Sequence, residues 1–218
     1  MKVCLFGGTF DPPHIGHLLI AQTVCEAENF DKVLFIPAFS PPHKNGITSA
    51  DHRINMIKIA IEDNPKFEYS NVDIVRKGTS YTIDSIIDIK NKLNLKKQEV
   101  YYLIGSDSLI DLKNWKEPKK ILDEAKVIVA IRPGFRPSDI PHWILQDVHF
   151  ANIPRFELSS SKIRSRWVED LTIRYMVTLP IWEYINKNNL YSVSNDSCLL
   201  YTSPSPRDLS TSRMPSSA

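Results

Sequence analysis

Short apolar runs alternate with amphipathic stretches along most of this chain. The apolar runs have strand length and no polar face, which is typical of strands buried on both faces of a parallel sheet. They are Val3–Phe6, Lys32–Ile36, Val100–Ile104 and Val127–Ile131. The stretches with helical periodicity are Leu18–Glu28, Ala50–Asp63, Thr82–Leu93 and Pro118–Ala125. This alternation predicts an α/β fold with a Rossmann-like, doubly wound parallel sheet in a single domain.

Two helix starts and one irregular stretch add detail to this prediction. Asp51 is a suitable N-cap for the second helix, and Pro118 suits the first position of the fourth helix. Residues Phe67–Arg76 show a less regular pattern, and we expect an additional pair of strands there.

The composition changes abruptly after Tyr191, where Ser and Pro become dominant and no period continues. Such composition is typical of disordered segments. Residues 198–218 can also be back-translated into DNA that resembles the two ends of a transposase-type sequencing adapter, separated by a variable index. We therefore predict one domain over residues 1–191 and a disordered, non-native tail over residues 192–218, with the native end between Tyr191 and Ser197.

Composition narrows the class of protein. The chain has 218 residues, of which 42% are hydrophobic and 24% are charged, as in one soluble globular domain. Its formal charge of +2 is too small to indicate a nucleic-acid or membrane surface. Its three cysteines form no CxxC pair, and no apolar run reaches the roughly 18 residues of a membrane span. We therefore expect a cytoplasmic protein without nucleic-acid or membrane partners, in which any phosphate site is local.

The segment Gly7–His17 reads GGTFDPPHIGH and lies between the first predicted strand and the first predicted helix. Ligands of open α/β sheets bind beyond the carboxyl ends of the strands, so a site is expected here. Gly7 and Gly8 would let the backbone approach a ligand that a Cβ atom would obstruct. The helix start offers N–H donors and partial positive charge to an anion, and His14 and His17 can face one side of that start.

The residues alone leave three interpretations of this segment open. A strand–Gly-Gly–helix turn is a purely structural turn in many folds. His14 and His17 have a spacing that metal ligands also use, although no third ligand of suitable type and spacing accompanies them. The third interpretation is a phosphate site. The segment is neither GxGxxG nor GxxxxGK[ST], which disfavours a dinucleotide-binding dehydrogenase and a P-loop protein.

The segment resembles the HxGH signature of the nucleotidyltransferase superfamily, in the form GG[ST]FDPxHxGH. In that superfamily the two histidines contact the ATP phosphates and stabilise the charge that develops at the α-phosphorus, and the resemblance gives this role to His14 and His17. The stretch Leu158–Arg164 resembles a second element, [IV]SSTxIR, with leucine in place of a β-branched residue and Ser161 in place of threonine. This element implies a capped helix start that faces phosphate, with the Arg164 guanidinium on phosphate oxygens.

Further stretches resemble one branch of the superfamily, the bacterial nicotinate-nucleotide adenylyltransferases, in the order in which that family carries them. They are Ile36–Lys44 with its PPHK sequence, Gly78–Thr82, Gly105–Ser108, Trp115, Arg132–Gly134 and Ile181–Tyr191. The resemblance implies that the main chain around Tyr81 meets the nicotinate carboxylate and that Trp115 stacks on the pyridine ring. For the closing stretch we expect only core packing.

The resemblance covers residues 1 to 191 and implies a complete set of site residues. Catalysis would fall to His14, His17 and Arg164. ATP binding would fall to Gly7, Gly8, Thr9, Phe10, Gly16, Ser159, Ser160, Ser161 and Ile163. Binding of the mononucleotide would fall to Lys44, Ser80, Tyr81, Thr82, Asp107, Trp115 and Arg132.

The activity that the resemblance implies joins ATP to nicotinate mononucleotide and gives nicotinate adenine dinucleotide and pyrophosphate, a step of NAD biosynthesis. Mg²⁺ would be carried by ATP and not by a dedicated protein metal site. Two alternatives stay open: nicotinamide mononucleotide as the acceptor, and a non-catalytic nucleotide-binding regulator on the same fold. Phosphopantetheine adenylyltransferase is disfavoured because its TxGH form lacks the histidine that stands here as His14. Whether the chain forms a homo-oligomer is also left open.

Overall fold

The structure is a computed structural model that describes residues 1–42, 46–131, 134–154 and 157–192. Within these residues, six parallel strands form one sheet in the order β3-β2-β1-β4-β5-β6. The strands are β1 Val3–Gly8, β2 Lys32–Pro37, β3 Phe67–Tyr69, β4 Val100–Gly105, β5 Lys126–Ala130 and β6 Val148–Ala151. The helices are α1 Ile15–Ala27, α2 Ala50–Ile61, α3 Val72–Arg76, α4 Thr82–Lys92, α5 Ser106–Asp111, α6 Pro118–Glu124, α7 His142–Leu145, α8 Ser160–Val168 and α9 Leu179–Lys187.

The strand order reverses next to β1, which is the centre of the sheet. The chain runs outward from β1 through β2 to β3, then crosses back so that β4 pairs with the other side of β1. Phe6 of β1 accordingly lies beside Phe35 of β2 and Leu103 of β4. In doubly wound sheets this reversal opens a crevice at the carboxyl ends of the strands, and ligands bind in such a crevice.

Each face of the sheet is covered by its own hydrophobic core. Alternate residues of a strand point to opposite faces, so Cys4 and Phe6 enter one core while Val3 and Leu5 enter the other. The first core also takes buried residues of α1, α2, α8 and α9, and the second takes those of α4, α5, α6 and α7. The predicted single-domain, doubly wound parallel sheet is therefore confirmed.

Two local predictions are wrong. Phe67–Arg76 contains one strand and one helix, β3 and α3, instead of two strands. The helix brings Asp73 and Arg76 onto one side, where they form an ion pair, and a strand would separate them. The N-cap of α2 is Ser49, whose side chain accepts a hydrogen bond from the His52 N–H, so Asp51 stands within the first turn.

Strand β6 was not predicted from the sequence. It lies at the sheet edge, and only Ala151 among its four residues is buried, so it lacks the continuous apolar run by which the other strands are recognised. Pro118 does open α6, as predicted. Lys44, Arg132 and residues 193–218 lie outside the described residues, and the domain boundary after residue 191 stays a prediction. In the described part of the chain, no helix combines the length and the hydropathy that a membrane span requires.

Candidate active site

A cavity of about 540 Å³ opens where β1 and β4 end at the reversal of the sheet. We call it the first cavity. Its volume lies within the range of roughly 300–1,000 Å³ that small-molecule sites occupy. Of the residues proposed from the sequence it is lined by Gly7, Gly8, Thr9, Phe10, His14, His17, Asp107, Trp115, Ser159, Ser160, Ser161 and Arg164. Two segments far apart in the chain, after β1 and at the start of α8, are thus brought together at one site.

His14 and His17 form a capping box at the start of α1. The Nδ1 atom of His14 accepts a hydrogen bond from the His17 N–H at 3.3 Å, and Nδ1 of His17 accepts one from the His14 N–H at 3.2 Å. The two rings stack with their centroids 3.6 Å apart, and the Phe10 ring packs against the edge of His17. Both histidines are therefore held rigidly by the helix that carries them.

The start of α8 is tied directly to the loop between β1 and α1. The Ser159 side chain caps α8 by accepting a hydrogen bond from the Lys162 N–H. The Ser160 hydroxyl donates to the Pro12 carbonyl at 2.8 Å, and the Arg164 guanidinium donates to the Asp11 carbonyl at 2.7 Å. These bonds place the serines and Arg164 on the same side of the first cavity as the two histidines.

A second cavity of about 230 Å³ adjoins the first. Both are lined by Gly7, Gly8, Thr9, Tyr102, Ser108 and Trp115, so they meet above the end of β1. The second cavity extends from there toward Ser80, Thr82 and Asp73. The Asp73 carboxylate in its wall pairs with Arg76, which also pairs with Asp88.

The stretch Ser80–Thr82 leads into α4 and is hydrogen-bonded to the loop after β2. The Ser80 hydroxyl accepts a hydrogen bond from the Phe39 N–H at 2.8 Å, and the Ser80 N–H donates to the Ser40 carbonyl at 2.9 Å. Helix α4 then begins at Thr82, and its N-cap Tyr81 makes no side-chain capping bond. Thr82, the first residue of this helix, lines the second cavity.

Gly7 and Gly8 are required by the protein itself and not only by an approaching ligand. A Cβ atom on Gly7 would lie 2.2 Å from the Tyr102 hydroxyl oxygen, and one on Gly8 would lie 2.9 Å from the Phe10 ring. Phe10 folds back in this way because its φ of 52° lies in the left-handed region. Burial raises the pKa of Tyr102 to about 12, although the hydrogen bond with Thr82 opposes this shift.

Sequence reasoning missed Arg53, which is fully buried beneath the site. Its guanidinium donates to four backbone carbonyls, those of Thr9, Ala38, Phe39 and Thr48. It thereby clamps the loop after β1 to the loop after β2. Burial lowers the pKa of Arg53, and the neighbouring Asp11 opposes this shift. No sequence motif marks an arginine on the otherwise apolar inner face of a helix.

Other proposed residues lie at the margins of the two cavities or beyond them. Gly16 is buried in the first turn of α1, and the Ile163 side chain is fully buried in the first core, so neither residue lines either of the two cavities. Tyr81 is half-buried and packs against the second core, with the Lys116 ammonium 4.8 Å from its ring centroid. The roles that the sequence proposed for these residues stay predictions.

Among the described residues, no three His, Cys, Asp or Glu side chains come together as a group that could hold a metal ion. What the two cavities offer instead is a set of donors for anions: imidazole and guanidinium groups, serine hydroxyls and helix starts. Such a set binds phosphates and stabilises charge that develops on them.

Comparisons with known proteins agree with this chemistry. Residues 5–166 match a family model described as cytidylyltransferase-like. A probable nicotinate-nucleotide adenylyltransferase of Shouchella clausii is 39% identical over 201 residues, covering 89% of this chain and 99% of that relative. The nicotinate-nucleotide adenylyltransferase of Bacillus subtilis is 36% identical over 192 residues, covering 87% of this chain and 96% of that protein.

Solved structures share the fold. The structure of Plasmodium falciparum nicotinic acid mononucleotide adenylyltransferase complexed with NaAD matches with a TM-score of 0.72 and 24% sequence identity. The match covers 87% of this chain and 97% of that one.

Proposed function

The chain belongs to the cytidylyltransferase-like family and, within it, to the nicotinate-nucleotide adenylyltransferases, and from this premise we propose that it transfers the adenylyl group of ATP to nicotinate mononucleotide. The products are nicotinate adenine dinucleotide and pyrophosphate, in a step of NAD biosynthesis. The observation that carries the proposal is the meeting of two cavities above the end of β1, one beside His14, His17 and Arg164 and the other beside Ser80 and Thr82.

The proposed reaction is an in-line displacement at the α-phosphorus of ATP. A phosphate oxygen of the mononucleotide forms the new P–O bond. The bond from the α-phosphorus to the oxygen shared with the β-phosphorus breaks, and its electron pair leaves with pyrophosphate. The attacking oxygen is already an anion, so the protein needs no general base. Catalysis then depends on positioning and on stabilisation of charge.

The capping box prepares the two histidines for this task. A ring nitrogen that accepts a hydrogen bond carries no proton, so acceptance at Nδ1 in His14 and His17 places the proton of each neutral ring on Nε2. Each ring can then donate from Nε2 to a phosphate oxygen. Because the cap holds both rings before ATP arrives, little reorganisation accompanies the transition state. Arg164, anchored on the Asp11 carbonyl, adds a positive charge at the same cavity.

The start of α4 favours the acid form of the mononucleotide over the amide. Helix starts carry a partial positive charge, which a carboxylate satisfies better than a neutral amide. Thr82 stands at this start and lines the second cavity, and Trp115 lines the same cavity, where it would stack on the pyridine ring of the mononucleotide. Arg76 limits repulsion by the Asp73 carboxylate.

Mg²⁺ would enter this site bound to the phosphates of ATP. Mg²⁺ keeps several waters and binds through substrate phosphates with few protein ligands, and the described residues contain no group of three ligands that would hold it without the nucleotide. Bound to ATP, it would neutralise charge on the triphosphate. Asp107, which lines the first cavity, would meet nucleotide hydroxyls as the sequence predicts.

The test is an assay of the full chain with Mg-ATP and either nicotinate mononucleotide or nicotinamide mononucleotide. Pyrophosphate release and the dinucleotide product are measured together. We expect turnover with both reaction products in equal amounts, and a kcat/KM for the acid that is about tenfold or more above that for the amide, since a helix start contributes about 1–2 kcal/mol to a bound charge. If neither mononucleotide gives pyrophosphate, the proposed adenylyltransferase activity is excluded, and a non-catalytic nucleotide-binding regulator is favoured. A higher kcat/KM for nicotinamide mononucleotide would identify that compound, instead of nicotinate mononucleotide, as the acceptor.

A further inference from the structure

The last aromatic residue of the described chain reaches the loop that carries the histidines. Tyr191 follows α9, and its hydroxyl donates a hydrogen bond to Asp11 Oδ1 at 2.8 Å. From the sequence this stretch was expected to serve core packing alone. Leu190 does pack in the first core and Tyr191 packs against it, but Tyr191, with a φ of 64°, also brings its hydroxyl to Asp11.

The Asp11 carboxylate connects three parts of the chain. It is 2% exposed. Its second oxygen, Oδ2, accepts a hydrogen bond from the Thr48 N–H at 3.1 Å, just before α2. The backbone carbonyl of the same residue accepts a hydrogen bond from the Arg164 guanidinium. A change in the position of Asp11 therefore moves an anchor of Arg164 directly.

The Tyr191 hydroxyl is suited to a permanent role as donor. Burial raises the pKa of Tyr191, and the negative charge of Asp11 raises it further. The hydroxyl consequently keeps its proton at physiological pH and donates it to Asp11. The positive charge of Arg164 acts in the opposite direction on the pKa of Tyr191. Two cations, Arg53 and Arg164, thus both interact with Asp11.

We propose that Tyr191 is a positioning residue for the ATP half of the site, which acts through Asp11 on Arg164 and on the loop that leads to His14. The proposal rests on the proposed function, since the rate that it concerns is that of adenylyl transfer. Without the hydroxyl, Oδ1 of a buried carboxylate loses its donor, and the side chain must turn to find another. Displacement of a catalytic group by about 1 Å lowers rates by as much as about 10²-fold, so even a partial shift is measurable.

The experiment compares Tyr191→Phe with Tyr184→Phe in the full chain. The Tyr184 hydroxyl also bonds from α9 to α2, at 2.9 Å from His52 Nδ1 and 3.2 Å from Asn55 Nδ2, but it lines neither cavity. Each variant thus loses one hydroxyl from the same end of the protein. We measure melting temperature, kcat, and KM for each substrate at a temperature where all proteins are folded.

We expect Tyr191→Phe to lower kcat/KM for ATP about tenfold and to weaken binding of a non-hydrolysable ATP analogue, with KM for the mononucleotide within about twofold of wild type. Both variants should lower the melting temperature by similar amounts, and Tyr184→Phe should leave the kinetics unchanged. Asp11→Asn provides a second variant that keeps the shape of the side chain. Because both residues act through one hydrogen bond, the double variant Asp11→Asn/Tyr191→Phe should lose little more than Asp11→Asn alone.

The results distinguish a failure of the proposed adenylyl transfer from a failure of the positioning role of Tyr191. A wild-type protein that releases no pyrophosphate overturns the proposed function. An active wild type with unchanged kinetics in Tyr191→Phe overturns only the positioning role. Equal kinetic losses in Tyr191→Phe and Tyr184→Phe also overturn it, because they would trace the effect to stability. Additive losses in the double variant would show that Tyr191 does not act through Asp11.

Discussion

His14 and His17 cap each other's backbone: the side chain of each accepts the N–H of the other, and their rings stack at 3.6 Å between centroids. In most capping boxes a serine or threonine and a glutamate perform this task. Imidazole can replace both because its Nδ1 lies close to the backbone while its Nε2 points away. One pair of side chains therefore stabilises the helix start, and in the proposed function the same pair donates to a phosphate.

The first prediction separates these two tasks at His17. Asparagine offers an acceptor near the position of Nδ1 and no donor at the position of Nε2. We expect His17→Asn to keep the melting temperature near that of wild type and to lower kcat at saturating ATP by about 10²–10³-fold, the usual effect of removing one such donor. His17→Ala should lose a similar factor in kcat and, in addition, about 1 kcal/mol of stability from the cap. Pyrophosphate release and thermal unfolding measure both effects. Retention of the wild-type kcat in His17→Asn would contradict the catalytic role.

A second prediction concerns Gly7 and Tyr102. Gly7→Ala places a Cβ atom 2.2 Å from the Tyr102 hydroxyl oxygen, so the strand end or the tyrosine must shift. We expect a loss of about 1–3 kcal/mol in the free energy of unfolding, as for other overpacked cores. Tyr102→Phe removes that oxygen, and the nearest ring carbon then lies 3.2 Å from the new methyl group. Urea unfolding of both single variants and the double variant should therefore show partial recovery in the double variant. If the losses in unfolding free energy of the two single variants simply add in the double variant, Gly7→Ala does not clash with the Tyr102 hydroxyl.

The sequence alone was enough to predict the parallel sheet, and the segment that it singled out after β1 lines the first cavity. Buried strands such as β1 and β4 are continuous apolar runs, and the segment after β1 carries its chemistry in consecutive residues. These signals are local. Edge strand β6 lacks such a run, and it was missed for that reason.

The supports beneath the site could not be predicted, because they join residues that are far apart in the chain. Arg53 bonds to a carbonyl 44 residues away, and Tyr191 bonds to Asp11 across 180 residues. No period or motif in either neighbourhood indicates such a partner. Only the fold places an arginine of α2 under two loops at once.

A third prediction tests that arginine. In Arg53→Met a chain of similar length replaces the guanidinium, so the carbonyls of Thr9, Ala38, Phe39 and Thr48 lose their donor. We expect a loss of about 3 kcal/mol or more in the free energy of unfolding. Arg53→Lys should lie between wild type and Arg53→Met, because an ammonium cannot reproduce the planar fork of a guanidinium. Urea unfolding gives the order, and equal stability of all three proteins would contradict the clamp.

A fourth prediction separates the two cavities by means of Ser80. This residue lines the second cavity only, and its hydroxyl accepts the Phe39 N–H of the loop after β2. Ser80→Ala leaves that N–H without its acceptor, and about 1 kcal/mol of lost positioning corresponds to a few-fold change. We expect KM for the mononucleotide to rise about three- to tenfold, with KM for ATP unchanged. A rise in KM for ATP alone would reverse the assignment of the cavities. Ser165→Ala, at an exposed hydroxyl of α8 that bonds to Glu169, is the matched control.

The fifth prediction follows from the burial of Tyr102. Its pKa is raised from the ordinary 10.0 to about 12 in the folded protein, so the folded state holds this proton more tightly than the unfolded chain does. The stability that this proton contributes is present below pH 10 and is lost as the pH rises toward 12. Between pH 9 and pH 11 the free energy of unfolding of the wild type should fall by about 1 kcal/mol more than that of Tyr102→Phe.

Urea unfolding at both pH values measures this difference, and groups that titrate in both proteins cancel in the comparison. Tyr175→Phe is the control, because Tyr175 is 85% exposed and its replacement should leave the wild-type slope intact. Equal slopes in wild type and Tyr102→Phe would mean that water reaches the Tyr102 hydroxyl in the folded state. The close packing of that hydroxyl against Gly7 would then be wrong as well, since both effects depend on the same buried oxygen.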